Sequence, residues 1–137
     1  MRVLFVDDDA MNRRVVRDML RVVGVELDEA PEGETGLKMV EANDYSVILM
    51  DLRMPGMDGL TAIRHIRERA DAKAKLPIIV ITADTSLDIR EDCLAGGADE
   101  VMMKPVAMKM LFKAMGKLVA QHARQPAAPA EAAPAPG

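Results

Sequence analysis

Five short apolar runs recur along the chain, separated by longer segments in which apolar residues repeat at helical spacing. The runs cover residues 3–6, 25–30, 47–50, 78–81 and 101–103. The apolar residues that mark the five helices are Met11, Val15, Val16, Met19, Leu20 and Val23; Leu37 and Val40; Leu60, Ile63 and Ile66; Leu87 and Leu94; and Leu111, Met115 and Leu118. Five βα units in strict alternation are typical of a parallel sheet covered by helices on both faces.

The polarity of each run predicts where its strand lies in the sheet. The runs VLFV, VILM and IIVI at 3–6, 47–50 and 78–81 are continuously apolar, as strands buried on both faces must be. The run at 25–30 alternates between apolar and acidic residues and the run at 101–103 is short, so both are predicted to be edge strands. We therefore predict an α/β fold with a doubly wound five-stranded parallel sheet of flavodoxin-like order 2-1-3-4-5 and five helices. Ligands bind beyond the carboxyl ends of strands one and three in this order.

Length and composition limit the classes of protein to consider. A chain of 137 residues corresponds to one domain, which we place at residues 1–122, with a flexible Pro/Ala-rich tail at 123–137. No apolar run has the length of a signal sequence or a membrane span, and a single cysteine fits a reducing compartment, so we expect a cytoplasmic protein without a membrane partner. A net charge of -4 and only 2% aromatic residues argue against a nucleic-acid partner.

Polar side chains follow the predicted strands at the points where the strands end. Asp7, Asp8 and Asp9 follow strand one, and Asp51, Thr82 and Lys104 follow or end strands three, four and five. Because the carboxyl ends of parallel strands meet at one edge, we expect these groups to lie close together. Clustered carboxylates repel one another unless a cation lies among them, and oxygen ligands suit Mg²⁺. Together with an ammonium group and a hydroxyl, they indicate phosphoryl transfer onto an aspartate.

These residues resemble the motifs of response-regulator receiver domains, of the kind found in single-domain, chemotaxis-receiver-like regulators. The matching segments are Asp7-Asp8-Asp9, Asp51-Leu52-Arg53-Met54-Pro55-Gly56-Met57-Asp58-Gly59, Ile81-Thr82-Ala83 and Lys104-Pro105. The resemblance covers about residues 2 to 122, and four motifs in register are strongly specific. Asn12-Arg13-Arg14 also looks like the start of the first helix in receivers that partner with hybrid kinases.

The resemblance implies a role for each of these residues. Asp51 is then the phosphoacceptor, Thr82 the switch hydroxyl and Lys104 the ligand of the phosphoryl group. Asp7 and Asp8 are the acidic pair that holds Mg²⁺, or Mn²⁺ in its place. The metal ligands implied by the family are Asp7, Asp8, Asp51 and the backbone carbonyl of Arg53. The Lys104-Pro105 bond is expected to be cis.

Three positions are expected to modify this chemistry. Arg53 and Asp84 stand two residues beyond Asp51 and Thr82, and we expect them to pair across the mouth of the site and to tune the lifetime of the phosphoryl group. Receivers usually carry Tyr or Phe three residues before the lysine, whereas this chain has Val101 at that switch position. We therefore do not expect the usual coupling of phosphorylation to the rotation of an aromatic ring.

The segment from residue 101 to residue 125 has no acidic residue, and it predicts a surface for protein binding. Lys109, Lys113 and Lys117 recur at intervals of four residues, which places them on one stripe of the last helix. Methionines such as Met102 accompany them and offer adaptable apolar contacts. We predict that the face formed by helix four, strand five and helix five binds an acidic partner, although a solvated lysine face is the simpler alternative for any one lysine.

The favoured interpretation is a signalling phosphoacceptor that catalyses only its own phosphorylation and dephosphorylation. It would take phosphate from a sensor histidine kinase or a histidine phosphotransfer protein and then bind a downstream protein.

One alternative is a phosphohydrolase of the haloacid dehalogenase kind, but such enzymes resemble one another in a second Asp two residues after the nucleophile, where this chain has Arg53. Another is a pseudo-receiver that binds partners without phosphorylation. Asp9 and Asp58 are expected to begin helices and not to bind metal.

Overall fold

A computed structural model of the chain describes residues 1–84 and 86–124, and within them five strands alternate with five α-helices. The strands are β1 (Arg2–Val6), β2 (Glu26–Ala30), β3 (Val47–Met50), β4 (Ile78–Thr82) and β5 (Glu100–Met103). The helices are α1 (Ala10–Val22), α2 (Gly33–Ala42), α3 (Gly59–Arg67), α4 (Ile89–Ala95) and α5 (Met108–Arg124), with a short 3-10 helix at Ala72–Lys75. The strands form one parallel sheet in the order β2-β1-β3-β4-β5, which confirms the predicted fold class.

The three central strands are buried along almost their whole length, as their apolar sequences predicted. Every residue of β3 and β4 is buried, and in β1 only Arg2 is partly exposed. The edge strand β2 has the sequence ELDEA and buries only Ala30, while all four residues of β5 are partly or fully exposed. The sheet order therefore follows from which strands can be covered on both faces.

Alternate residues of the central strands pack into two separate cores. Leu4 and Val6 of β1 face the core that α2, α3 and α4 cover, which also contains Val40, Ile63 and Cys93. Val3 and Phe5 face the opposite core, which α1 and α5 complete with Val16, Leu20, Leu111 and Met115. Side chains of a strand point alternately to its two faces, so a continuous apolar run supplies both cores at once. This packing holds the carboxyl ends of the strands in fixed positions.

Two details of the predicted helices differ from the structure. Leu87 lies before α4 in a turn and is 98% exposed, so it does not belong to the apolar face of that helix. In α1 the buried residues are Val16 and Leu20, while Met11 and Val15 are exposed. A helix that covers one face of a sheet buries only a narrow stripe, and apolar spacing alone does not identify which residues lie in it.

The domain boundary predicted after residue 122 stays a prediction. Helix α5 continues to Arg124, and residues 125–137, which hold most of the predicted tail, lie outside the described residues. Among the described helices, none is long and apolar enough to cross a membrane.

Candidate active site

The ends of four strands bring the predicted polar groups to one edge of the sheet. Val6 of β1 and Met50 of β3 are paired in register, so the next residue of each strand, Asp7 and Asp51, emerges at the same level. The backbone N–H of Asp51 donates to the carbonyl of Val6 at 2.9 Å, which continues the ladder beyond the strand ends. On the other side, the N–H of Lys104 donates to the carbonyl of Thr82 at 2.8 Å. The backbone therefore fixes where each functional side chain starts.

Three carboxylates form a cluster at this edge. One oxygen from each of Asp7, Asp8 and Asp51 can be chosen so that all three lie within 4.8 Å of one another. Asp7 is fully buried, Asp51 is 4% exposed, and Asp8 is exposed to solvent. The cluster therefore combines two buried oxygen donors with one that solvent can reach, which is a set that fits a small divalent cation carrying several waters.

Lys104 is the cation that the structure places beside this cluster. Its Nζ lies 3.2 Å from Oδ2 of Asp7 and 3.4 Å from Oδ1 of Asp51, with the lysine side chain 21% exposed. The Lys104-Pro105 peptide bond is cis, as the resemblance implied. The ammonium group therefore contacts both Asp7, which follows β1, and Asp51, which follows β3.

The surroundings of Asp51 disfavour its charged form in the absence of a metal ion. Burial is the largest influence and the negative charge of Asp7 adds to it, so the pKa of Asp51 is raised to about 6 despite the opposing charge of Lys104. Burial also acts to lower the pKa of Lys104, but the charges of Asp51 and Asp7 outweigh it and the pKa of the lysine is raised. The raised pKa of Asp51 and the raised pKa of Lys104 both indicate an excess of negative charge at this edge of the sheet. A divalent cation bound there would favour the ionised form of Asp51.

Thr82 ends β4, and Asp84 lies on the segment that leaves this strand. Thr82 is fully buried, and its hydroxyl oxygen accepts a hydrogen bond from the N–H of Asp84 at 3.0 Å. The carboxylate of Asp84 accepts from the N–H of Ser86 at 2.8 Å and from its hydroxyl, and it forms an ion pair with Arg53. These hydrogen bonds, those from Ser86 first and then that from Arg53, lower the pKa of Asp84 to about 2. The pairing expected between Arg53 and Asp84 is thus present, with 76% of the arginine side chain exposed.

The start of α3 packs closely against the loop that follows Asp51. Asp58 is the N-cap of this helix, and its side chain accepts from the N–H of Thr61 at 2.8 Å. A Cβ atom on Gly59 would lie 2.3 Å from the carbonyl oxygen of Asp51 and 2.8 Å from the Cα of Leu52. Glycine is therefore required for this close approach. The expectation that Asp58 begins a helix is confirmed, as is that for Asp9, which caps α1 by accepting from the N–H of Met11.

One contact to the cluster was not foreseen from the sequence. The side-chain amide of Asn12, in the first turn of α1, donates to Oδ2 of Asp7 at 2.6 Å. The neighbouring Arg13 donates to the backbone carbonyl of Asp7 and to Glu29. The sequence marked Asn12-Arg13-Arg14 only as a helix start, because nothing in residue spacing shows which side chain turns back toward the strand end.

A surface groove of about 780 Å³ runs between β5 and α5. Its lining includes Lys104, the switch position Val101, and Met102 with Lys113 and Lys117. Val101 is partly buried and packs against the core under α4.

The lysines of the predicted stripe differ in their relation to this groove. Lys109 is exposed but lies outside the lining, because residues four apart on an α-helix are rotated by about 40° from one another and the stripe turns away. The structure therefore brings Met102, Lys113 and Lys117 together and leaves Lys109 to one side.

Comparisons with known proteins agree with this geometry. The family model of the response regulator receiver domain matches residues 3–116. The cell cycle transcriptional regulator CtrA of Caulobacter vibrioides is 34% identical over 105 residues, which cover 77% of this chain and 44% of that protein. The sensor histidine kinase RcsC of Escherichia coli is 31% identical over 125 residues, or 91% of this chain and 13% of that protein. The chain thus spans less than half the length of these curated relatives.

Solved structures show the same arrangement of the fold. The receiver domain of sensor histidine kinase PA1611 from Pseudomonas aeruginosa, with a magnesium ion coordinated in its active-site cleft, has a TM-score of 0.80 and 31% identity over 87% of this chain and 97% of that chain. The chemotaxis protein CheY4 of Vibrio cholerae has a TM-score of 0.78 and 29% identity over 85% of this chain and 97% of that chain.

Proposed function

Because the chain belongs to the response regulator receiver domain family, we propose that Asp51 accepts a phosphoryl group in a Mg²⁺-dependent reaction and that the phosphorylated domain signals by binding another protein. The observation that carries this proposal is the position of the Asp51 carboxyl group, which clusters with Asp7 and Asp8 and lies 3.4 Å from the ammonium group of Lys104. A nucleophile, an oxygen-rich cation site and a fixed positive charge are the elements that phosphoryl transfer needs.

The transfer step uses the carboxylate of Asp51 as nucleophile. One of its oxygens attacks the phosphorus of a phosphohistidine, the P–N bond breaks, and its electron pair remains on the imidazole of the donor. The product is an acyl phosphate on Asp51. Lys104, which already lies 3.4 Å from Asp51, neutralises charge on the transferred group, and the buried hydroxyl of Thr82 donates a hydrogen bond to one of its oxygens.

The acidic cluster supports a divalent cation in this reaction. Asp7 and Asp8 together with Asp51 offer hard oxygen ligands, and the backbone carbonyl of Arg53 is the further ligand that the family implies. Mg²⁺, or Mn²⁺ in its place, supplies positive charge next to the oxygens of the phosphoryl group when it is bound. The pKa of Asp51, raised by burial and by Asp7, supports the same conclusion because a cation would relieve that unfavourable charge.

The proposed reaction indicates which class of protein donates the phosphoryl group. The donor is a sensor histidine kinase or a histidine phosphotransfer protein, since both carry phosphohistidine. The receiver acts as a signalling phosphoacceptor, and its catalysis is limited to its own phosphorylation and dephosphorylation. Membership of the family argues against the haloacid dehalogenase alternative, and the pseudo-receiver alternative predicts a domain that takes no phosphate.

The groove beside β5 is the surface proposed for the downstream partner. Lys104 belongs to both the acidic site and the groove lining, so its movement toward a phosphoryl group would alter both. With Val101 at the switch position, exposed methionines such as Met110 take the place of a rotating ring as adaptable apolar contacts. Lys113 and Lys117 give the lining a positive charge that favours an acidic partner segment.

Incubation of the full chain with acetyl phosphate and Mg²⁺ tests this function. We expect an alkali-labile adduct that peptide mapping locates to the peptide containing Asp51, and no adduct when EDTA removes the metal. Asp8→Ala should slow labelling by weakening Mg²⁺ binding and leave Asp51 as the labelled residue. Labelling that is insensitive to EDTA would reject the metal site, and no labelling under any condition would favour the pseudo-receiver.

A further inference from the structure

Asn12 makes a contact to the acidic cluster that the proposed chemistry does not yet use. It lies in the first turn of α1 and is partly buried, and its amide nitrogen donates to Oδ2 of Asp7 at 2.6 Å. This is a hydrogen bond from a neutral side chain to one of the carboxylates implied as metal ligands. Residues of this kind orient a ligand without binding the metal themselves.

The two oxygens of Asp7 have different sets of donors. Oδ1 accepts from the backbone N–H of Asp9 at 2.9 Å. Oδ2 accepts from Asn12 at 2.6 Å and also lies 3.2 Å from Nζ of Lys104. Because Asp7 is fully buried, each oxygen depends on these donors in place of solvent.

Lys104 is shared between two carboxylates, and this sharing gives Asn12 its role. The ammonium group that lies near Oδ2 of Asp7 is also the group proposed to engage a phosphoryl group on Asp51. We propose that Asn12 is a positioning residue: it holds Asp7 in place for the cation and thereby allows Lys104 to turn from Asp7 to the phosphoryl group. This inference rests on the proposed metal-dependent phosphorylation of Asp51.

The chemistry of the amide suits this position better than a charged side chain. Lys104 already lies near Oδ2 of Asp7, so a second positive side chain there would add to the repulsion of a divalent cation, and a carboxylate would add to the repulsion that already raises the pKa of Asp51. Arg13, the positive residue that follows Asn12 on α1, donates to the backbone carbonyl of Asp7 and to the carboxylate of Glu29. Both side-chain oxygens of Asp7 therefore accept a hydrogen bond, Oδ1 from the N–H of Asp9 and Oδ2 from the neutral amide of Asn12.

Two substitutions of Asn12 and one control test the proposal in the full chain. Asn12→Ala removes the amide and its volume, Asn12→Leu removes the amide and keeps the volume, and Arg14→Ala changes an exposed residue of the same helix. The Kd for Mg²⁺ is measured by calorimetry, and the rise in Tm caused by Mg²⁺ is measured separately. We expect both Asn12 variants to bind Mg²⁺ about tenfold more weakly and to show a smaller Mg²⁺-dependent rise in Tm, with Arg14→Ala unchanged.

The kinetics of phosphorylation give a second test, because the Mg²⁺ requirement and the maximal rate are expected to respond differently. Labelling by acetyl phosphate should need about tenfold more Mg²⁺ for half of its maximal rate in the Asn12 variants, while the rate at saturating Mg²⁺ stays within about twofold of the wild type. A contact that serves only folding would lower Tm equally with and without Mg²⁺ and leave both Mg²⁺ dependences unchanged.

The outcomes separate this inference from the proposed function. An unchanged Kd in both variants would overturn the role of Asn12 while leaving Asp51 as phosphoacceptor. A loss in Asn12→Ala that Asn12→Leu does not share would also overturn it, because packing would then be the cause. If the wild type itself bound no Mg²⁺, the proposed function would fail together with the inference.

Discussion

Asp51 is a buried carboxyl group that lies close to the carboxylates of Asp7 and Asp8 and to the ammonium group of Lys104. Its pKa, raised to about 6 by burial and by Asp7, means that the metal-free protein holds a proton here at mildly acidic pH. Mg²⁺ binds the ionised form, so metal binding must displace that proton. The affinity of the site is therefore expected to depend on whether Asp51 is ionised.

We expect the affinity for Mg²⁺ to fall as the pH is lowered through about 6, approaching tenfold per pH unit below that value. Above about pH 7 the affinity should be nearly constant, because Asp51 is then ionised before the metal binds. Calorimetry between about pH 5 and pH 8 measures this dependence. Asp51→Asn is the control, since it should bind more weakly and lose the step near pH 6. An affinity that stays constant over this range in the wild type would show that Asp51 is not the titrating ligand.

Arg53 and Asp84 form an ion pair beside the acceptor, and we expect it to restrict the approach of water to the acyl phosphate. Because most of the arginine side chain is exposed, the interaction is weak and the effect should be modest. Arg53→Ala is therefore predicted to shorten the half-life of phosphorylated Asp51 by about two- to fivefold. The decay of the adduct after removal of donor measures it, with Arg64→Ala, an exposed arginine on α3, as control. A half-life equal to or longer than that of the wild type would reject the lid.

At the scale of the element, the start of α3 fixes the loop that follows Asp51. The N–H of Gly59 donates to the carbonyl of Leu52 at 2.9 Å, and a Cβ atom at this position would overlap the backbone of Asp51 and Leu52. Helix and loop are thus packed backbone against backbone. A side chain at residue 59 can be accommodated only if one of them moves.

Gly59→Ala is predicted to lower the free energy of unfolding by about 2–4 kcal/mol and to slow phosphorylation, since the shift displaces Asp51. Gly116→Ala in α5 is the matched control: a Cβ atom there meets open space, so this substitution should be neutral or stabilising by up to about 1 kcal/mol. Urea unfolding and labelling by acetyl phosphate measure the two effects. Equal stability of the two variants would contradict the close approach.

The elements themselves were largely predictable, because burial on both faces demands continuous apolar runs. The runs at 47–50 and 78–81 fall within β3 and β4, and Gly24, which has a positive φ of +73°, follows α1 as its sequence indicated. Leu87 was misassigned because α4 is short and begins only at Ile89. A single leucine at helical spacing does not separate a turn from the first turn of a helix.

The site residues that end or follow a strand were predictable from the sequence. The contacts that depend on side-chain conformation or on how closely two elements approach were not. Asp51, Thr82 and Lys104 each stand at the end of an apolar run, so the sheet brings them together once its order is known. The hydrogen bond from Asn12 to Asp7 depends on the side-chain conformation within the first turn of a helix. Likewise, the contact of Gly59 with Asp51 depends on how closely a helix approaches a loop.

At the scale of the whole molecule, the acidic site and the groove are joined by one residue and one strand. Lys104 contacts Asp7 and Asp51 and lines the groove, and β5 runs from Glu100 to Met103 directly before it. A phosphoryl group can shift the population of the domain only through groups that interact with it differently in the two states. Lys104 is such a group, and it connects to the surface without an aromatic ring at Val101.

Phosphorylation is therefore expected to change the chemical shifts of backbone amides from Val101 to Lys117, beyond the immediate surroundings of Asp51. Spectra recorded with Mg²⁺ alone and with Mg²⁺ plus acetyl phosphate measure the difference, and Asp51→Asn under the same conditions corrects for binding of the donor. Changes confined to α1 and the acidic cluster would contradict the proposed route to the groove.

The most direct test of the account is the phosphate content of two matched variants. Asp51→Asn and Asp58→Asn make the same substitution seven residues apart, but Asp58 serves as a helix cap and Asn can cap in its place. After incubation with Mg²⁺ and acetyl phosphate, intact-mass spectrometry is predicted to find the adduct on Asp58→Asn at the level of the wild type and none on Asp51→Asn. An adduct on folded Asp51→Asn at the rate of the wild type would contradict the assignment of Asp51 as the phosphoacceptor.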